Sequence, residues 1–295
     1  MPTIPFSIVD VFAEQRYAGN QLGVFRRAAG LTTEHMQRIA KELNFSETTF
    51  ILSDEPRDGG YDVRIFTPER EIPFAGHPTL GTAHYIRKNI IGHDVPEVIL
   101  NLGVGPIPVK WENDGGGLAW MTQKPPGFGT RFTREEIASL FGLEPAQIDE
   151  RFPVQEVSTG LPSLIVPLRQ VSDVQACRVN IERYAEFRPR LQSETLLVFA
   201  PGALEPGNDL HARVFVPSLG VPEDPATGSA AGNLAGYLAR HRYFGIPDVD
   251  LRMEQGYALG RPSLLYLRSR DADDGRVHVQ VGGKTFDIAN GEWPV

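Results

Sequence analysis

The chain has 295 residues, a formal charge of −8 and one cysteine. Its length is enough for one large domain or two of ordinary size. The acidic balance argues against nucleic acid, and the lone Cys177 rules out an internal disulfide. No apolar run approaches the length of a membrane span, so no membrane partner is expected.

The opening residues Met1-Pro-Thr-Ile-Pro-Phe-Ser-Ile-Val-Asp-Val-Phe12 read as a strand over 7–12 rather than a signal peptide. With a single cysteine, a reducing, cytoplasmic setting is expected. A surface helix follows over 33–43, where Met36, Ile39, Ala40 and Leu43 have helical spacing and Thr32 or Thr33 can cap it. Strands are predicted from Glu47 and over 61–66, then a second helix from Pro78, then strands over 97–102 and 107–111. A β-rich stretch closes this half near Gln123. Lys124-Pro-Pro-Gly127 is a plausible boundary, giving halves of 1–124 and 125–283. Thr133-Arg-Glu-Glu136 is a capping box, so the second half carries an added helix. The last strands, 276–280 and 285–288, finish the second half or cross back, the stretch from about 284 to 295 completing the first.

The two halves repeat. Ser46-Glu-Thr-Thr-Phe-Ile51 matches Ser193-Glu-Thr-Leu-Leu-Val198, and Arg64-Ile-Phe-Thr-Pro68 matches Arg213-Val-Phe-Val-Pro217, each about 148 residues apart. Pro73 falls on Pro222 and Thr79 on Thr227; more weakly, Gly19–Phe25 falls on Gly160–Val166. This predicts two similar domains facing each other across a cleft, where ligands commonly bind.

Both halves contain a helix that is small and apolar on nearly every face: one opens at Gly76-His-Pro-Thr-Leu-Gly-Thr-Ala83, the other at Asp224-Pro-Ala-Thr-Gly-Ser-Ala-Ala231. Asp224 and His77 fit N-caps, with Pro225 and Pro78 at the first helical position. A helix without a polar side is surrounded rather than half exposed. Its N-terminus carries unpaired N–H groups and partial positive charge, an anion site to which Thr227 and Ser229 would add hydroxyls. The plainer alternative is a pair of well-capped buried helices.

Asn44-Phe-Ser-Glu-Thr-Thr-Phe50, Pro73-Phe-Ala-Gly-His-Pro-Thr-Leu-Gly-Thr-Ala83 and Gly220-Val-Pro-Glu-Asp-Pro-Ala-Thr-Gly-Ser-Ala-Ala-Gly232 resemble the signatures of the PhzF-like phenazine biosynthesis isomerases. Ser158-Thr-Gly-Leu-Pro-Ser163 and Gln255-Gly256 with Gly260-Arg-Pro-Ser263 also fit. The resemblance covers nearly the whole chain. It implies an α+β, diaminopimelate-epimerase-like fold: two pseudo-symmetric domains, each a β-barrel-like sheet wrapped around a central helix. It also implies a homodimer that isomerises trans-2,3-dihydro-3-hydroxyanthranilate without metal or cofactor. By motif, Glu47 would move the proton, supported by His77 and Asp224. Ser46, Gly76, Gly228 and Ser229 would hold the substrate, a small carboxylate. Related racemases place a cysteine at each helix start; this chain has none there.

On the residues alone, Glu47 could be a surface glutamate, His77 a capping histidine and Asp224 a cap. A carboxylate in a closed apolar cleft would have a raised pKa and could take and return a proton. Glu194, at the repeat-related place, reads as a leftover of duplication, with a second base left open. The competing functions are an amino-acid racemase or epimerase and a non-catalytic small-carboxylate-binding protein.

Overall fold

The computed structural model describes residues 2–112, 117–219, 221–271 and 276–295. Gly220, the first residue of the third motif, lies outside the described residues. The chain forms two compact units, Met1–Thr122 with Gly282–Val295, and Gln123–Val281.

The first unit opens with β1 (Thr3–Val11) and β2 (Asn20–Phe25), followed by α1 (Thr33–Leu43), β3 (Glu47–Ile51), β4 (Tyr61–Phe66) and the short β5 (Glu71–Ile72). Then come α2 (Gly76–Ile86), β6 (Glu97–Leu102), β7 (Gly105–Trp111) and β8 (Ala119–Gln123). The second unit holds β9 (Gly127–Phe132), α3 (Arg134–Ala138), β10 (Val154–Ser158), β11 (Pro162–Pro167), α4 (Val171–Ala176) and α5 (Ile181–Phe187). It continues through β12 (Thr195–Pro201), β13 (Leu210–Val216), β14 (Val221–Asp224), α6 (Gly228–Arg240), β15 (Asp248–Gln255), β16 (Ser263–Asp271) and β17 (Val277–Gly283). The final strand, β18 (Thr285–Pro294), returns to the first unit and pairs antiparallel with β1.

The duplication is written in the pairing. In the first unit the order is β18-β1-β2-β3-β4-β6-β7, with β2–β3 and β4–β6 parallel and the rest antiparallel. In the second it is β9-β10-β11-β12-β13-β15-β16, with β11–β12 and β13–β15 parallel and the rest antiparallel. The senses match step for step. Each parallel pair needs a crossover, and helices supply them: α1 and α2 in the first unit, α4 with α5 and then α6 in the second.

The sheet of each unit wraps its second crossover helix. α2 packs against β1, β2, β3, β6, β7 and β18, and only His84 of its eleven residues escapes full burial. α6 packs against β10, β11, β15 and β16, with Gly228 through Ala239 buried. Small residues permit this approach. A Cβ on Gly81 would lie 2.7 Å from Leu22 and Val11 side chains, and one on Gly236 would lie 2.7 Å from Pro126. In place of a polar face, these helices present backbone close enough to touch the sheet on several sides.

α1 has the opposite character. It is capped by Thr32, whose hydroxyl accepts from the His35 N–H, and it lays Met36, Ile39 and Ala40 on an aromatic cluster. Phe25 stacks on Phe50 at 5.1 Å, and Phe66 meets Phe50 edge-on at 5.4 Å. Thr133 and Glu136 form the capping box of α3, which packs on a second core around Phe141, Leu196 and Cys177.

Both central helices begin elsewhere than the Pro-based expectation. In α2, Ala75 is the N-cap in extended conformation, its carbonyl accepting from Thr79, so His77 is the second helical residue and Pro78 the third. In α6, Thr227 is the N-cap and Asp224 ends β14, opposite Val214. A helix begun at Pro225 would use the Asp224 carbonyl as its first acceptor. That carbonyl instead accepts from the Gln255 amide at 2.8 Å.

Candidate active site

In the first unit, three chain segments converge on one imidazole. Asn20 starts β2, Glu47 starts β3 and His77 is in the first turn of α2. Because β2 and β3 run parallel with Leu22 opposite Glu47, their starts lie at the same end of the sheet. His77 Nδ1 lies 3.5 Å from Glu47 Oε2 and 3.3 Å from Asn20 Nδ2. The His77 side chain is 4 % exposed and that of Glu47 17 %. Burial pushes the His77 imidazole down to about 3, partly offset by the Gln21 main chain, so the ring is neutral at ordinary pH. Its Nε2 is buried with no hydrogen-bond partner among the described residues. An unspent polar atom in a dry place is costly unless a ligand or water meets it.

Ser46 precedes Glu47 and is half-buried, and Gly76 opens α2. The structure thus brings Glu47 and His77 together, with Ser46 and Gly76 adjacent in the chain. Asn20 is a member that sequence reasoning missed. Its signal there was only a place in the weak Gly19–Phe25 match, and nothing in that match marks this polar residue as buried, at 2 % exposed.

In the second unit, Asp224, Thr227, Gly228 and Ser229 lie at the start of α6. Asp224 and Ser229 are each 6 % exposed. The Thr227 hydroxyl donates to Asp224 Oδ2 at 2.6 Å, and the Thr227 N–H donates to Gln255 Oε1 at 3.1 Å. The Gly228 carbonyl accepts from Gln123 Nε2 at 2.9 Å. Gln123 is braced in turn by Thr159, whose hydroxyl lies 2.5 Å from its Oε1, and Thr159 N–H donates to Asn233 Oδ1. Gln123 and Gln255, neither a candidate on sequence grounds, therefore hold the first turn of α6 from opposite ends of the unit's sequence.

The strand ladders correct the place of Glu194. Thr48 pairs with Phe66 in the first unit, and Leu196 with Phe215 in the second. Leu22 faces Glu47, as Ser163 faces Thr195. The counterpart of Glu47 is therefore Thr195, whose hydroxyl is 2.5 Å from that of Ser163. Glu194 lies one residue earlier, outside the strand. The Ser-Glu-Thr match is out of step by one residue, while the weaker Gly19–Phe25 match is in register.

The one cysteine lies in neither constellation. Cys177 is buried, its Sγ donates to the Asp173 carbonyl, and burial pushes its thiol up to about 12. Among the described residues no three His, Cys, Asp or Glu side chains are placed to hold a metal ion, and no helix is long and apolar enough to cross a membrane. A groove of about 550 Å³ runs along Leu52, Arg57, Asp62, Arg64, Glu71 and Asn101. It includes none of the candidate residues, and its charges are matched internally: Arg57 with Asp62, Arg64 with Glu71.

A wrapped helix in each unit, with a carboxylate beside a neutral imidazole at one helix start, fits acid–base isomerisation, and the relatives of this chain are isomerases. The chain belongs to the PhzC-PhzF family of phenazine biosynthesis-like proteins, whose profile it matches over residues 9–291. It is 36 % identical to the trans-2,3-dihydro-3-hydroxyanthranilate isomerase of Pseudomonas aeruginosa, over 97 % of this chain and 98 % of that one. The crystal structure of a Bacillus anthracis PhzF-family protein superposes with a TM-score of 0.89 at 26 % identity, covering 100 % of both chains. A predicted epimerase from Pseudomonas aeruginosa superposes with a TM-score of 0.81 at 31 % identity, covering 99 % of both.

Proposed function

We propose that this protein moves a proton between two carbons of a small carboxylic acid, with Glu47 as the carrier and no metal or organic cofactor. The observation that carries the reading is the pairing of Glu47 with a buried, neutral His77 whose Nε2 has no partner among the described residues. Glu47 takes a proton from one carbon, the electrons of that C–H bond pass into the adjacent unsaturated system, and the same carboxyl returns the proton at another carbon. No atom is gained or lost. Neutral His77 and the helix-start amide at Gly76 bind the polar groups of the substrate, beside Ser46. In the second unit Asp224, Gly228 and Ser229 are the binding residues. The substrate is of the kind named for the Pseudomonas aeruginosa relative, an amino-substituted cyclic carboxylate. A cytoplasmic homodimer completes the reading.

A second reading, racemisation of an amino acid, draws support from the relative described as a predicted epimerase. The register weighs against it, because the counterpart of Glu47 is Thr195 rather than a second acid.

The test is turnover of trans-2,3-dihydro-3-hydroxyanthranilate in heavy water by wild type and Glu47→Gln. Wild type should move the double bonds, and Glu47→Gln should lose on the order of 10²-fold or more of kcat while still binding. Full turnover by Glu47→Gln removes Glu47 from the mechanism. Deuterium entering at a single stereocentre with inversion selects racemisation.

A further inference from the structure

We propose that Gln255 is a positioning residue that acts through Thr227 to present Asp224 as a hydrogen-bond acceptor with a defined orientation. The inference deepens the reading of Asp224 as a ligand-binding residue and rests on it.

The polarity of the chain follows from donor counting. Thr227 N–H can only donate, so the Gln255 atom 3.1 Å away must be the amide oxygen. The other end of that amide is then NH₂, and both of its protons are placed: one on the Asp224 carbonyl at 2.8 Å, one on Thr227 Oγ1 at 3.1 Å. A hydroxyl that accepts there has one proton left to give. The atom at 2.6 Å from Thr227 Oγ1 is Asp224 Oδ2, which must accept it. Gln255 is completely buried, and water does not compete for these bonds.

The backbone enforces the same contact. Gly256 has φ +80°, and a Cβ there would lie 2.6 Å from the Pro225 carbonyl oxygen. The end of β15 is thus pressed onto the 224–227 turn, and a residue with a side chain would lift it off. A consequence is that the Thr227 hydroxyl is spent on Asp224 and is not a donor to a bound anion.

The test uses the full-length protein with ¹³C-labelled aspartate, the Asp224 carboxyl signal being assigned by its loss in Asp224→Asn. At one fixed pH near neutrality, Thr227→Val and Gln255→Leu should both move that signal, and Thr227→Ser should leave it in place. Turnover of trans-2,3-dihydro-3-hydroxyanthranilate should fall about 10-fold or more in kcat/KM for Thr227→Val, the scale of one hydrogen bond to a charged group, and stay near wild type for Thr227→Ser. If Gln255→Leu does not fold, Gln255→Glu replaces it; that variant keeps an oxygen for the Thr227 N–H but lacks the amide protons given to Thr227 Oγ1 and the Asp224 carbonyl. A signal unmoved by the Gln255 variant overturns the role of Gln255. A signal unmoved by Thr227→Val, or moved equally by Thr227→Ser, overturns the relay. A signal that moves as expected while kcat/KM does not change upholds the relay and refutes the role given to Asp224.

Discussion

His77 Nδ1 lies 3.5 Å from Glu47 Oε2, while the opposite nitrogen of the same ring is buried and has no partner among the described residues. One face of the imidazole is engaged by the protein and the other is held ready. A charged imidazolium is disfavoured in that environment, because burial outweighs the hydrogen bond to the Gln21 main chain.

The first prediction concerns protonation of His77. In NMR titrations its ring should stay neutral well below the ordinary value of 6.5, down to about 3. The sign of the linked stability effect follows. Between 6.5 and 3 the unfolded chain binds a proton that the folded chain refuses, so stability falls as pH falls through that window. The contribution approaches about 1.4 kcal/mol per pH unit. Urea unfolding of wild type and His77→Asn between pH 7 and 5 should show a shallower pH dependence in the variant. Equal slopes would mean that His77 titrates alike in both states.

Gly232 is the next test. A Cβ there would overlap the side-chain amide of Gln123, which is braced by the Gly228 carbonyl and Thr159. The Gln123 side chain could swing aside only by giving up those bonds. Gly232→Ala should therefore cost about 1–3 kcal/mol despite the better helix propensity of alanine. Gly30, where an added methyl would meet nothing within 4 Å, is the control, and Gly30→Ala should stay within about 0.5 kcal/mol. Thermal or urea midpoints of the two variants settle the matter; equal midpoints would show that Gln123 relaxes freely.

Cys177 should be chemically silent. Its thiol is buried and pushed up to about 12, so almost no thiolate is present at neutral pH. A thiol reagent should label native protein at a rate limited by opening of the second unit, and label it at once in urea. Cys177→Ala should keep full activity while losing stability through the small cavity it leaves. Rapid labelling of the native protein would contradict the burial.

Much of this architecture was legible because it rests on local rules. α1 announces itself by Met36, Ile39 and Ala40, and α3 by Thr133 and Glu136. Glu47 opens β3, as its position before Thr48-Thr-Phe-Ile51 indicates. The smallness of α2 and α6 predicts their burial, since a helix with no polar side has no place at a surface. The paired motifs carry the family and, with it, the fold.

What local rules could not supply is register and partnership. Pro78 and Pro225 suggest helix starts that Ala75 and Thr227 actually provide, because a cap is decided by which distant group takes the preceding carbonyl. Asn20 reaches His77 from 57 positions away, and Gln255 reaches Thr227 from 28. Glu194 and Thr195 are distinguishable only by the ladder opposite Ser163 and Phe215. The amino-acid sequence by itself determined which titratable residues stand in the paired motifs and that the chain is built twice. Only the tertiary structure decided which nitrogen of His77 is left unspent and which way the protons of Gln255 and Thr227 point, because hydrogen bonds are made across space between atoms whose neighbours no spacing along the chain reveals.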